Sequence, residues 1–245
     1  MKRVFLDIET LPPIEEFRTK LASDIVHSNI DSQELSGLIE LKFRDLALKA
    51  EYGRILAIGL IIEDGDRILH HGVLGRSRQT NRFHLDEAQT LTSFWRLMNN
   101  FDISGDLVIG HNILDFDLPF IRKRSIVNQV PPSVNLPFVR FRSRPIYDTM
   151  WEWNNWRSMI KLSELAECLG LKSSKDCGID GSTVYDNFLA GQHDEITCYC
   201  MRDVESLREI YYRMNFLTAP VLISYESKTA SATIFTDQSP LEAIA

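Results

Sequence analysis

Two acidic residues, Asp7 and Glu9, interrupt the apolar run VFLDIE (4–9) near the start of the chain. On a strand, residues two apart leave the same face, so the two carboxylates would lie side by side. Burying two like charges together is costly unless something positive binds them, which makes the pair a candidate cation site. Taken alone, however, the pair favours a simpler interpretation, in which the strand ends there and both side chains are solvated.

A third acid, Asp117, lies in the segment NILDFDLPFI (112–121), just after an apolar run at 107–112. An acid in this position commonly begins a helix, where it interacts favourably with the helix dipole. Asp115 competes for the same role. By itself this segment predicts the start of a helix and no particular chemistry.

A tyrosine and a fourth acid follow in the stretch 193–214, which predicts a helix. Tyr199 and Asp203 are four residues apart, so they would share one helix face about one turn apart. A tyrosine in an amphipathic helix more often packs in a core than takes part in catalysis. Cys198 and Cys200 flank the tyrosine and are expected to point elsewhere around the helix as small core residues.

The elements that would position these side chains follow from the hydrophobic pattern. It predicts strands over 4–9, 55–62, 68–74, 107–112 and 145–148, and helices over 86–101 and 116–128. Asp64-Gly65 favours a tight turn between two antiparallel strands, and Asp148 can cap a following helix. A strand meander followed by alternating strands and helices predicts a mixed sheet covered by helices. Residues 10–53 are too many for a hairpin loop and are interpreted as an insertion with its own helices.

The bulk composition is that of a globular protein. The chain has 245 residues, 44% hydrophobic and 25% charged, and fits one large domain over 1–216 with a peripheral extension at 217–245. Its net charge of −7 is a weak argument against a general polyanion binder. We expect no signal peptide, and no apolar stretch approaches the ~20 residues of a membrane span.

Four cysteines without CxxC spacing predict reduced thiols in a cytoplasmic protein. They are Cys168, Cys177, Cys198 and Cys200. Neither a disulfide scaffold nor a structural zinc site is expected from this number and spacing.

Considered together, the acidic segments resemble the DEDD superfamily of 3′–5′ exonucleases, whose fold is ribonuclease H-like. Three motifs occur in the same order as in that superfamily: DIET (7–10), NILDFDLPFI (112–121) and YCMRD (199–203). The tyrosine four residues before the last Asp is typical of the tyrosine branch (DEDDy), since the other branch would have a histidine at the position of Cys198. The chain resembles the PolB-like exonucleases, which are similar to the proofreading domain of family B DNA polymerases. KLSELAECLGL (161–171) and GSTVYDNFLAG (181–191) also resemble the linker helices of that group.

The resemblance implies an α/β, ribonuclease H-like fold with a mixed five-stranded sheet flanked by helices. It implies that two divalent cations, Mg²⁺ or Mn²⁺, are bound by Asp7, Glu9, Asp117 and Asp203. Oxygen ligands suit these hard cations. One ion would lower the pKa of the attacking water, and the other would stabilise the leaving 3′ oxygen. Tyr199 would orient that water, because a phenol with a pKa near about 10 is a poor base at neutral pH.

The resemblance also suggests where the substrate binds. Thr10 and Leu11 would hold the terminal nucleotide through backbone amides and wedge its base. Asn112 and Phe116 would contact the sugar and base, although Phe116 is equally a candidate core residue.

Two basic segments are candidates for other roles. If residues 139–145 were extended, three arginines would share one face as a phosphate-tracking stripe, with a solvated loop as the alternative: Arg140, Arg142 and Arg144. The basic triplet at 122–124 is predicted to form the exposed face of a helix.

The sequence therefore predicts a metal-dependent 3′–5′ exonuclease that acts on the 3′ ends of single-stranded DNA or RNA. The choice between DNA and RNA stays open, because it depends on contacts with the 2′-hydroxyl. Two alternatives also stay open. One is a nucleic-acid-binding module without catalytic activity, and the other is a metal-dependent phosphohydrolase of nucleotides or short oligonucleotides, which suits the acidic net charge better.

Overall fold

The computed structural model describes residues 1–25, 31–77, 79–171 and 180–222. The described residues form a mixed sheet with five strands: β1 (Lys2–Leu11), β2 (Arg54–Asp64), β3 (Arg67–Leu74), β4 (Leu107–Gly110) and β5 (Ile146–Asp148). The order across the sheet is β3-β2-β1-β4-β5. β2 is antiparallel to both β1 and β3, whereas β4 is parallel to both β1 and β5. The first strand of the chain therefore lies at the centre of the sheet.

Helices flank this sheet. They are α1 (Glu16–Ile25), α2 (Ser32–Asp45), α3 (Glu87–Met98), α4 (Asp117–Val127), α5 (Thr149–Trp153), α6 (Leu162–Cys168), α7 (Val184–Leu189) and α8 (His193–Met214), with a 3-10 turn at Leu46–Leu48. The predicted α/β fold is confirmed, including the Asp64-Gly65 hairpin and the helical insertion after the first strand. Among the described residues, no helix combines the length and the apolar character needed to cross a membrane.

The two faces of β1 pack against different helices because its side chains alternate. One face joins the core cluster built with α3 and α4, through Val4, Leu6 and Ile8. The other face packs against α8, through Phe5 and Leu11. Asp7 and Glu9 belong to this second face, so they lie between two apolar contacts with the same helix.

A glycine lets α8 approach the sheet closely beside these acids. Gly59 of β2 pairs with Asp7 across the ladder. A Cβ atom at Gly59 would lie 2.7 Å from Cys200 Sγ and 2.9 Å from Val204 Cγ2, both in α8. Since any larger residue would force the helix outward, Gly59 sets the distance between α8 and the acidic pair.

A buried ion pair ties α3 to α4. Arg124 donates through Nε and Nη2 to Glu87, with distances of 2.7 to 3.1 Å. Glu87 also accepts from the Ile55 amide at 2.7 Å and from Asn128 Nδ2 at 2.8 Å. The prediction that the triplet 122–124 is an exposed face is therefore wrong for Arg124, which points inward because its partner lies on the neighbouring helix.

A second buried ion pair joins α8 to β2. Arg208 of α8 pairs with Glu63 of β2, and both side chains are buried. The Tyr212 hydroxyl donates to the same carboxylate at 2.5 Å. Arg208 also donates to the Pro220 carbonyl at 2.6 Å, which holds the chain just after α8.

Part of the predicted C-terminal extension lies outside the described residues, which end at 222. Its boundary at 217 stays a prediction. Cys177 lies outside the described residues as well, and the other three cysteines are thiols.

Candidate active site

The four predicted acids come from three separate elements. Asp7 and Glu9 lie on β1, Asp117 is the first residue of α4, and Asp203 lies in the middle of α8. Asp7, Glu9 and Asp203 line one cavity of about 470 Å³. Asp117 joins them from the side, because its Oδ1 accepts a hydrogen bond of 3.1 Å from the amide of Ile8, between the two acids of β1.

The other carboxylates raise the pKa of both acids of β1. Burial raises the pKa of Asp7 well above its ordinary value, and Asp117, Glu9 and Asp203 raise it further. Burial also raises the pKa of Glu9, with added contributions from Asp203 and Asp117. Like charges repel over short distances, so these shifts place the four groups in one electrostatic cluster.

Asp117 is almost fully buried, with 3% of its surface exposed. Burial raises its pKa to about 7, and Asp148 contributes to the rise. Hydrogen bonds from backbone amides, including that of Ile8, act in the opposite direction. Near neutral pH, this carboxyl group is therefore close to half protonated when no cation is bound.

The donor set fits divalent cations. None of the ion pairs among the described residues includes Asp7, Glu9 or Asp117. Clustered carboxylates that raise one another's pKa are stabilised by a bound cation, which replaces the repulsion with attraction. The residues present therefore suit divalent cations that prefer oxygen ligands.

The two cysteines beside Tyr199 depart from the prediction. Cys200 is buried as expected, but its thiol faces the acids: one ligand atom each of Cys200, Asp7 and Glu9 lie within 4.8 Å of one another. Cys198 is exposed, so its prediction as a core residue is wrong. Two residues apart on a helix differ by about 200° in direction, so the two thiols cannot both face the sheet.

Tyr199 presents its hydroxyl to the acids. It lines the same cavity and forms a side-chain hydrogen bond with Asp203. Burial raises the pKa of Tyr199 above its ordinary value, and the charges of Glu9, Asp203 and Asp7 raise it further. The phenol therefore stays protonated near neutral pH and acts as a hydrogen-bond donor rather than as a base.

Asp148 organises the loop that delivers Asp117. Its carboxylate accepts from the amides of Asn112 at 3.0 Å and Leu114 at 3.1 Å. It also caps α5 as predicted, through the Met150 amide at 3.1 Å. The sequence indicated the cap but not the loop contact, because residues 112–114 are more than 30 positions away.

Two of the four predicted substrate residues line the cavity, and the other two do not. Thr10 and Phe116 line the cavity with the acids. Asn112 is not among the lining residues of this cavity, and its backbone is bound to Asp148. Leu11 is only 1% exposed and packs in the core with Ile196 of α8, so its predicted role as a wedge for the terminal base is corrected.

Of the two alternatives for the arginine segment, the structure has the loop and not the stripe. Residues 140–144 do not form a strand, and Phe141 has a φ of 62°, which turns the chain. Arg140 pairs with Asp115 and lies over the ring of Trp151, with 5.7 Å between its Cζ and the ring centroid. The alternation that would align three guanidinium groups requires an extended segment, so it does not apply here.

The sheet order and flanking helices define a ribonuclease H-like α/β fold of the kind found in polymerase proofreading domains. The chain belongs to a family described as a predicted 3′–5′ exonuclease related to the exonuclease domain of PolB, whose model matches residues 46–236. That match includes Asp117, Tyr199 and Asp203. It begins after β1, so the acidic pair lies outside it.

A solved structure supports the fold. The family B DNA polymerase from the hyperthermophilic archaeon Pyrobaculum calidifontis is similar to this chain, with a TM-score of 0.55 and 15% sequence identity. The similarity covers 88% of this chain and 24% of the polymerase chain, so this chain spans about a quarter of that protein. No curated protein matches the sequence.

Proposed function

We propose that this chain is a metal-dependent 3′–5′ exonuclease of the DEDDy branch, which hydrolyses phosphodiester bonds of single-stranded nucleic acid by a two-metal-ion mechanism. The observation that carries the proposal is that Asp7, Glu9 and Asp203 line one cavity, while Asp117 accepts a hydrogen bond from the Ile8 amide between the two acids of β1. Membership of a family of predicted PolB-related exonucleases supports it. The expected cytoplasmic location is a proposal too, and it rests on the composition of the sequence.

In this proposal two Mg²⁺ or Mn²⁺ ions are held by Asp7, Glu9, Asp117 and Asp203. Bound cations of this kind neutralise charge on the phosphate and make a water molecule more acidic. The protein's own part is to hold the carboxylates in place. The Ile8 amide fixes Asp117, and the close approach at Gly59 fixes α8, which carries Asp203.

Tyr199 has a separate role in this proposal. Its hydroxyl is protonated and lies at the cavity beside Asp203. A donor in that position orients the attacking water and the phosphate oxygens, and it does not need to remove a proton. Asp148 supports the site indirectly, because it holds the loop before Asp117.

The test is incubation of the purified protein with 5′-labelled single-stranded DNA and RNA in Mg²⁺, Mn²⁺ or EDTA. We expect a descending ladder of products with metal, no products in EDTA, and resistance of strands whose 3′ end is blocked. A single internal product, or undiminished cleavage in EDTA, would count decisively against the proposal.

A second candidate is a metal-dependent phosphohydrolase of nucleotides or short oligonucleotides. The net charge of −7 favours it, because a long polyanion is repelled by an acidic protein. Comparing hydrolysis of a long strand with that of a dinucleotide separates the two. Higher kcat/KM on the dinucleotide would favour the second candidate.

A further inference from the structure

One wall of the cavity that holds the acids is built by the insertion between β1 and β2. Leu41, from α2, and Leu48, from the 3-10 turn, line this wall. Their side chains are 59% and 66% exposed. Single exposed leucines are common on protein surfaces, but two beside a cluster of acids form an apolar surface within one cavity. We call Leu41 and Leu48 the insertion ledge.

Other side chains hold the insertion in place. Phe43 of α2 is fully buried, and Leu46 is nearly so. Arg44 forms a two-pronged ion pair with Asp186 of α7, with Nη1 2.9 Å from Oδ2 and Nη2 2.6 Å from Oδ1. Because these contacts anchor the wall, the insertion ledge is not needed for packing and is free to meet a ligand.

The ledge lies at the rim of the cavity, and the acids lie at its base. Glu9 and Asp203 are only 6% and 8% exposed, far less than the two leucines. A cavity of about 470 Å³ is near the lower end of the volumes that hold one small ligand, so it accommodates about one nucleotide. A strand whose last phosphodiester reaches the acids must therefore pass the rim with the nucleotides that precede the terminal one.

Building on the proposed exonuclease activity, we infer that the insertion ledge packs against the unpaired bases preceding the 3′-terminal nucleotide. Every base has an apolar face, so this contact would add affinity for a single strand without sequence preference. The ledge would thus contact bases that Leu11, buried in the core, cannot reach. Leu41 precedes residue 46, where the family match begins, so this part of the contact is supplied by the insertion and not by the matched region.

The inference is tested with the double variant Leu41→Ser/Leu48→Ser on two substrates. One is a 5′-labelled oligothymidylate, and the other is the p-nitrophenyl ester of thymidine 5′-monophosphate, which has no preceding base. We expect KM for the strand to rise roughly five- to twentyfold at unchanged kcat, since two apolar contacts are lost. Hydrolysis of the ester should stay as in the wild type.

The matched control is Leu69→Ser/Leu85→Ser. These leucines are 51% and 61% exposed and do not line the cavity. The control should leave both substrates unchanged, and thermal unfolding should verify that both double variants are folded. A strand KM for the ledge variant within about twofold of the wild type would overturn the inference, as would an equal loss on both substrates.

Strand binding separates this inference from the proposed activity. Fluorescence anisotropy of the labelled strand is measured with Ca²⁺ in place of Mg²⁺, for the wild type and both double variants. Suppose that the wild type hydrolyses neither substrate and that only the ledge variant binds the strand more weakly. The exonuclease proposal then fails, but the inference that the insertion ledge contacts the bases is supported. Equal binding by all three proteins, or no binding by the wild type, overturns the inference that the insertion ledge contacts the bases.

Discussion

Acidic side chains are buried in two kinds of place in this molecule. Glu87 is paired with Arg124 between α3 and α4, and Glu63 is paired with Arg208 between β2 and α8. At the cavity, by contrast, Asp7 and Glu9 have carboxylates as their electrostatic neighbours. Glu9 and Glu87 are equally buried, with 6% and 7% of their surface exposed, so the difference between them lies in which charge faces the acid.

Because of this difference, the ion pairs contribute to stability, whereas the cavity acids are suited to binding cations. A buried carboxylate that meets a guanidinium is neutralised inside the protein. Removing either partner leaves the other as an unpaired buried charge, which destabilises the fold. Carboxylates that meet one another lower the stability of the metal-free protein and gain it back only when cations bind. We therefore expect changes at the cavity to affect activity and changes at the ion pairs to affect stability.

The sharpest separation is expected from Asp203→Ala. It should reduce the rate by well over the roughly 10–100-fold typical of residues that only support a metal ligand. The metal-free variant should unfold at the same temperature as the wild type or a higher one, because a like charge has been removed. Single-turnover cleavage and thermal unfolding in EDTA measure the two effects, and a fully active variant would break the comparison.

Tyr199→Phe should reduce the rate by about 10²–10⁴-fold, the range for a positioned proton-transfer or donor group. The ring and its packing are kept, so stability and metal binding should be close to wild type. Cleavage rates and isothermal titration with Mn²⁺ check these expectations. If this variant were fully active while Asp203→Ala was inactive, the proposed role of the acids would stand. Tyr199 would then have a packing role only.

Arg124→Met tests the other side of the comparison. It leaves Glu87 buried without its guanidinium and should lower the free energy of unfolding by about 3–5 kcal/mol. Below the unfolding temperature, cleavage should proceed at nearly the wild-type rate. Urea unfolding and activity at low temperature give the two readouts.

The matching rescue is Glu87→Gln/Arg124→Met. The amide still accepts from the Ile55 backbone, and no buried charge is left, so part of the lost stability should return. A double variant no more stable than Arg124→Met alone would show that the charge is not the cause of the loss.

The smallest effect is expected from pH. The pKa of Asp117 is raised from 3.8 in its ordinary state to about 7 in the folded protein. A raised folded pKa contributes stability that is complete below the unfolded value and is lost as pH rises through the folded value. In EDTA the wild type should therefore lose stability between about pH 4 and pH 7 relative to Asp117→Asn, by a few kcal/mol at most.

This prediction is checked by urea unfolding of both proteins across that pH range in EDTA. Saturating Mg²⁺ or Mn²⁺ should reverse the trend in the wild type, because cations bind the ionised form. A constant difference between the two proteins at all pH values would show that Asp117 does not titrate in this window.

Local patterns were enough to predict most of the fold. The five strands, the hairpin and the insertion helices each depend on a short stretch of sequence. Arg124 was misplaced because its partner, Glu87, is 37 positions away and no local periodicity indicates it. The choice between a stripe and a loop at the arginine segment stayed open in the sequence because the positive φ of Phe141 is not apparent from residue types.

In the candidate site too, local motifs could be predicted from the sequence, whereas contacts between distant segments could not. The acids were found from their motifs, whereas Leu11 was misassigned because its burial depends on how closely α8 packs on the sheet. The same packing turns Cys200 toward the acids. The part played by Asp148 and the insertion ledge likewise depends on contacts between segments that are distant in sequence.

The close approach of α8 to the sheet at Gly59, beside Asp7, also has a mechanical consequence. Asp7 belongs to the central strand near the start of the chain, and Asp203 belongs to the last described helix. An ion held by both would act as a removable cross-link that closes nearly the whole domain into one loop. Cation binding would then suppress the opening of α8 from the sheet, and amide hydrogen exchange in α8 would slow in its presence.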